Sequence, residues 1–153
     1  MERPFPLINK QAARTIQGRH TEVMVTSFQD KILIIVSQYG KVGSVIHTSL
    51  DQQSLAPTSS NTLAPTSSNF LLGAGSSTSK KTQLYQVYAS HVSQMIVHQN
   101  PQEGRPVVLS LALSIQEPDM EHSVSQAQEQ EQRQLDRDLF ENVVDMVNEC
   151  CVW

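Results

Sequence analysis

The chain has 153 residues, 40 of them Leu, Ile, Val or Phe, and a formal net charge of -4. That is the length of one ordinary domain with enough apolar side chains for a core. It excludes a collagen, a disulfide miniprotein (the only cysteines are the adjacent Cys150 and Cys151) and a helical membrane protein, since no run approaches about 20 apolar residues. The opening Met1–Pro6 has no apolar leader region, so no secretory signal is expected, and with no disulfide framework a reducing, cytoplasmic or also nuclear, location is expected.

In chain order, residues 7–17 are read as an opening strand. Residues 21–28 alternate, with Val23 and Val25 on one face and Met24, Thr26 and Phe28 on the other. Gln29-Asp30 is a turn, and Ile32-Leu33-Ile34-Ile35-Val36 is apolar throughout, so the two runs form an antiparallel hairpin. Tyr39-Gly40-Lys41 is the next turn and residues 42–50 the next strand. Residues 51–82 are read as a flexible insertion: 13 of 32 are Ser or Thr, and Leu55–Asn61 recurs unchanged as Leu63–Asn69. Within it, Phe70-Leu71-Leu72-Gly73 is a short strand candidate.

The period then changes. Leu84, Val87, Tyr88, His91, Val92, Met95 and Ile96 form one helix face over residues 84–99, with Thr82 as N-cap. Residues 106–115 return to alternation, with Val107, Leu109, Leu111, Leu113 and Ile115 on one side. Residues 116–130, acidic and rich in Gln, are a second flexible insertion. A last helix spans about 131–152, with a stripe of Leu135, Leu139, Val143, Met146, Val147 and Cys150, widened by Phe140, Val144 and Cys151. The order strands, helix, strand, helix defines a single α+β domain over 1–153.

The charge divides unevenly. Residues 1–115 hold nine Lys or Arg and five Asp or Glu, whereas 116–153 hold two and ten. The basic residues are scattered without interleaved aromatics, which argues against nucleic acid. Candidate chemistry is sparse. His91 and His98 share a helix face but have no third metal ligand. Cys150 and Cys151 have no basic neighbour to activate a thiolate. Gly40-Lys41-Val42-Gly43-Ser44 lacks phosphate-loop spacing and lies between strands. No catalytic, cofactor or metal site is expected. One physical demand stands out: Ile32–Val36 is apolar on both faces, and two helices cover one face of a small sheet but hardly both. Either the helices split across the sheet or a partner's sheet packs on it.

Thr21–Phe28, Ile32–Ser44, Leu71-Leu72-Gly73, Val107–Leu113 and the end at Cys150, Val152 and Trp153 together resemble the third proteasome assembly chaperone family. The turn Gln38-Tyr39-Gly40-Lys41-Val42-Gly43 is the most specific part. The resemblance covers about two-thirds of the chain; the duplicated stretch, 76–82 and 116–130 depart from it. It implies an antiparallel sheet of about six strands with two helices. It further implies pairing with the related fourth proteasome assembly chaperone, binding of alpha-type subunits, promotion of alpha-ring assembly in the 20S core particle, and no cofactor or catalytic residue. A homodimer is an alternative resting form. The expected partner interface is Ile32, Ile34 and Val36 of the doubly apolar strand with Gln38, Tyr39, Gly40, Lys41 and Gly43 of the turn. A small dimeric adaptor in trafficking or signalling is the alternative reading, and an enzyme using the cysteine pair a third.

Overall fold

In the computed structural model, which describes residues 7–50, 66–73, 75–117 and 125–153, the two alternating runs form β2 (Arg19–Ser27) and β3 (Ile32–Ser37). They pair antiparallel with Val25 opposite Ile34 and Met24 opposite Ile35. Upstream, β1 (Ile8–Ile16) joins β2 through Gln17-Gly18, both in the left-handed region that a two-residue hairpin turn requires. The Gln17 side chain donates to the carbonyl of Leu135, which holds this turn against the last helix.

Downstream come β4 (Ser44–Leu50), β5 (Thr66–Leu72), α1 (Lys80–Gln99), β6 (Val107–Ala112) and α2 (Gln126–Glu149). The expected six strands and two helices are present, in one sheet of order β1-β2-β3-β6-β4-β5. The sheet is mostly antiparallel. The exception is β6, which runs parallel to β3, placing Ile32 beside Val107 and Ile34 beside Leu109. Parallel neighbours need a long crossover, and here it contains β4, β5 and α1.

Three boundaries differ from the expectation. Strand β5 begins at Thr66, so four residues of the second duplicated copy, Thr66–Asn69, are strand and pair with β4. Polar residues serve there because an edge strand needs only its backbone groups to pair. Helix α1 begins at Lys80, capped by Ser79 rather than Thr82. Helix α2 begins at Gln126 behind a capping box, in which the Ser125 side chain accepts from Gln128 N–H and Gln128 reaches back to Ser125 N–H. The end of the expected second insertion is therefore helical; residues 51–65 and 118–124 lie outside the described residues.

Both helices lie on the same face of the sheet. Helix α1 packs on β4, β5 and β6, and α2 on β1 and β2. Val23, Val25, Ile32, Ile34, Val36, Ile46, Val107, Leu109 and Leu111 meet Tyr85, Tyr88, Ala89, Val92, Ile96, Leu139, Val143, Met146 and Val147 in one core. The buried face of α1 is rotated from the expected stripe: Tyr85, Ala89 and Ser93 turn inward, while Val87 and His91 are exposed. The Tyr85 hydroxyl accepts from Leu113 N–H at 3.0 Å, which directs that ring inward, and Ala89 allows close approach. On β1, Arg14 faces the helices and binds Asn142, Asp145 and Glu149 of α2. Part of the acidic excess of α2 is thus matched by a basic residue from the other end of the chain.

Two expected results arise here. Deleting Thr62–Asn69 leaves Thr58-Ser59-Ser60-Asn61 directly before Phe70, the same four residue types in the same positions of β5. Shortening the connection should change stability by less than about 1 kcal/mol, checked by chemical denaturation; a large fall in the midpoint would show that the deleted residues carry packing of their own.

The second concerns Glu117. Its carboxylate accepts from Ser79 Oγ at 2.6 Å, Lys81 N–H at 3.0 Å and Lys80 N–H at 3.2 Å, occupying the N-terminus of α1. The Ser79 bond first, then the amides, hold its pKa below the ordinary glutamate value. A carboxyl depressed in the folded state stabilises above its unfolded pKa and loses that contribution as pH falls through the folded one. Glu117→Gln should therefore be less stable than the parent at neutral pH, with the gap closing below about pH 4. Melting temperatures at neutral and acid pH check this.

Candidate functional site

Strand alternation places successive residues on opposite faces, so every inward position of the sheet has an outward neighbour. The outward set on the central strands is Leu33, Ile35 and Ser37 of β3 and Val108, Ser110 and Ala112 of β6, with register pairs Leu33–Val108, Ile35–Ser110 and Ser37–Ala112. Met24 of β2 lies opposite Ile35, and Val45 and His47 of β4 lie opposite Ser110 and Val108. Met24, Leu33, Ile35, Val45, His47 and Val108 are half-buried and alternate with the residues that meet the two helices in the core. The two central strands carry no charged residue on this face. On a sheet face meant for water the outward side chains are mostly polar; here Met24, Leu33, Ile35, Val108 and Val45 give each of four adjacent strands an apolar outward residue, with Ser37, Ser110 and His47 among them.

The outer face is not flat. Where β3 leaves the sheet, residues 38–43 curl back and leave a cavity of about 460 Å³ between Gln11, Glu22, Met24 and Ile35 on one side and Lys41 and Val42 on the other. The curl is built by Ser37, whose hydroxyl donates to the Lys41 carbonyl and accepts from Tyr39 N–H and Lys41 N–H. Gly40 turns the chain at φ 65. Gly43 then lies flat on β6: a side chain there would strike the Leu111 carbonyl and come within 2.8 Å of Ala112 Cα, both backbone atoms that cannot move aside. Tyr39 and Val42 are left more than half exposed, as are Leu71 and Leu72 at the end of β5. Val45 pairs with Leu72, and Ser44 Oγ donates to the Gly73 carbonyl, so these apolar side chains border the outer face.

The expected interface residues thus separate into four groups. Ile32, Ile34 and Val36 are 0% exposed beneath the helices, so they are core and not contact residues. The correction has a simple cause: in a strand apolar on both faces, the sequence does not say which parity faces the helices, and Leu33 and Ile35 are the outward members. Gln38 is a strap; its amide donates to Thr21 Oγ1 and accepts from Ser114 N–H, tying the start of β2 to the segment after β6. Gly43 fixes the turn against β6. Tyr39, Gly40 and Lys41 are exposed, with Lys41 Nζ 5.8 Å from the Tyr39 ring centre. The helix-splitting alternative is overturned, because both helices share one face.

The residues weighed for chemistry do not assemble. Among the described residues no three His, Cys, Asp or Glu side chains gather as a metal site. Cys150 is 2% exposed, and burial, with Glu149 beside it, pushes its thiol up, away from an activated thiolate. What the chain presents is a sheet covered by helices on one side and open, apolar and shaped on the other, the form of a protein-binding domain.

The comparisons agree with that form. The family described as proteasome assembly chaperone 3 matches residues 34–131. A proteasome assembly chaperone 3 from Nematostella vectensis is 26% identical over 118 residues, covering 72% of this chain and 78% of that protein. The one from Homo sapiens is 38% identical over 50 residues, 33% of this chain and 39% of that protein. Among solved structures, a chain from a chaperone complex for yeast 20S proteasome assembly shares the fold, with a TM-score of 0.56 at 13% identity, covering 93% of this chain and 97% of that one. The chain belongs to the proteasome assembly chaperone 3 family.

Proposed function

We infer that this chaperone pairs through its open sheet face with the related fourth proteasome assembly chaperone, and that the pair binds alpha-type subunits and promotes assembly of the 20S alpha ring, by binding and without catalysis, in the cytoplasm. The observation that carries the reading is the uncovered face itself. Leu33, Ile35, Val45, Val108 and Met24 form an apolar surface whose two central strands carry no charge on it, and a related sheet laid on it would remove that surface from water. The rim suits a partner of defined register: Glu22 and Lys41 flank the cavity at one end, so a wrongly placed sheet would bury a charge unpaired. The yeast structure of this fold is itself a chaperone complex, which supports pairing as the working state. A second copy of this chain could occupy the same face, and the mass of the purified chain alone distinguishes that case.

The assembly role is tested with purified alpha-type subunits mixed with and without the chaperone pair and followed on native gels. The expected result is a higher yield of ring-sized species with the pair present and the chaperones absent from the finished particle. An identical yield with and without the pair would overturn the reading.

A further inference from the structure

If a related sheet covers the outer face, the cavity beside the 38–43 curl must be filled by it or stay wet, so any occupant proposed there rests on the pairing reading. Strand register explains the cavity. One row of outward residues runs Gln11, Met24, Ile35 across β1, β2 and β3, and the next runs Ala13, Glu22, Ser37. In the second row both neighbours of Glu22 are small, so the floor there is low. Lys41 and the more than half exposed Val42 form the opposite wall. The cavity of about 460 Å³ has room for a large side chain from outside. Well-paired interfaces pack as densely as protein interiors, and a void forfeits contacts on every wall, so a sheet that merely bridged the cavity would pair poorly.

Its chemistry is mixed. Met24, Ile35 and Ala13 give an apolar floor, and Glu22 and Lys41 bring opposite charges to the two walls. His20 Nε2 meets one Glu22 oxygen, Oε1, at 3.0 Å, and the carboxylate keeps further acceptor capacity. Lys41 makes no ion pair among the described residues; its ammonium lies 5.8 Å from the Tyr39 ring centre. An acidic occupant would face Glu22 and a basic one Lys41, so neither sign of charge suits the cavity. A neutral side chain with an apolar body and a tip that both donates and accepts suits both walls. A phenol has such a tip; an indole only donates, and a phenylalanine ring does neither. Packed sheets lie about 10 Å apart, too far for serine or threonine to bring a hydroxyl to the floor of the facing sheet.

We propose that this cavity is a socket for one tyrosine of the partner chaperone, its ring seated on Met24 and Ile35 and its hydroxyl donating to Glu22 and accepting from Lys41. The socket sets register and partner choice, because a sheet with no tyrosine at that point leaves a void with two charges covered at its walls. The test uses the purified chain and the purified fourth proteasome assembly chaperone, with affinity read by titration and stability by thermal melts. Ala13→Phe fills the socket from its own floor, at an exposed strand position where an aromatic is well tolerated. Its melting temperature should match the parent, and its affinity for the partner should fall about tenfold or more. On the partner, each tyrosine is replaced in turn by Ala and by Phe. One tyrosine should weaken pairing about tenfold or more when changed to Ala, yet add nothing further to Ala13→Phe; its change to Phe should cost less against Lys41→Met than against the parent. The Lys41→Met comparison decides alone if Ala13→Phe melts lower. Parental affinity in a folded Ala13→Phe, or no partner tyrosine coupled to the socket, overturns the socket and leaves the pairing reading standing. A parent chain that forms no pair overturns both.

Discussion

Ile34→Asp should leave the chain without a cooperative thermal transition at neutral pH. Ile34 is 0% exposed, lies between Val25 and Leu109 in the middle of the sheet, and faces a core built from both helices. Among the described residues the buried polar side chains are Ser and Thr, with no cation to pair with a carboxylate, and burying a lone charge costs several kcal/mol. Loss of the packed isoleucine adds about 2–5 kcal/mol. Domains of this size are stable by only about 5–15 kcal/mol in total, so the two losses together suffice to unfold it. Ile34→Val, which removes one methylene at the same position, should cost about 0.5–1.5 kcal/mol and keep a single transition. Circular dichroism melts of the two variants decide the matter, and an Asp variant that melts like the parent would show that Ile34 is not where the structure places it.

Ile35→Asp, one residue along, should do the opposite. Ile35 points to the outer face, where in the unpaired chain a carboxylate stays in contact with water. Its melting temperature should therefore move little, within the about 1 kcal/mol that strand preference spans. Pairing is where the effect falls. Covered by a partner's sheet, the carboxylate would be buried unpaired at a cost of about 3–5 kcal/mol, which weakens the complex by more than about a hundredfold. Light scattering of the co-expressed pair at fixed concentration reads this as a shift to monomer mass. A variant that stays paired with parental affinity would place the interface elsewhere. The contrast between adjacent residues is sharper than either result alone, because it separates folding from binding by strand parity.

Strand parity also marks the limit of what the amino-acid sequence discloses. The order of elements is readable because the period changes from two to 3.6 at Leu84 and back at Val107, and because Ile32–Val36 is too apolar for a strand with one wet face. The need for a second cover follows from that strand alone. Its direction does not: with Leu33 and Ile35 as apolar as Ile32 and Ile34, only the position of the helices decides which set is core. The parallel pairing of β3 with β6 is hidden for a similar reason, since neighbours in space that are distant in sequence leave no local signal. Strand β5 is masked by its polar Thr66–Asn69, which pair through the backbone. The start of α2 is masked by a Gln-rich first turn, although Ser125 and Gln128 carry the capping-box spacing. Two structural features have no sequence signal: the carboxylate of Glu117 at the start of α1, and the rotation of α1 that turns Tyr85 and Ala89 inward. The specific turn Gln38–Gly43 is recognisable, yet its residues divide into a strap, a close approach and an exposed tip only once β6 and the segment after it are in place.

Service of the open sheet face to a related chaperone is the central claim. Affinity purification of the tagged chain, with identification of the bound proteins by mass spectrometry, tests it most directly when run beside Ile35→Asp. The expected result is recovery of the fourth proteasome assembly chaperone and alpha-type subunits with the parent chain, and loss of the chaperone with the variant. Recovery of the parent chain with neither, or an unchanged set of partners with Ile35→Asp, would contradict it.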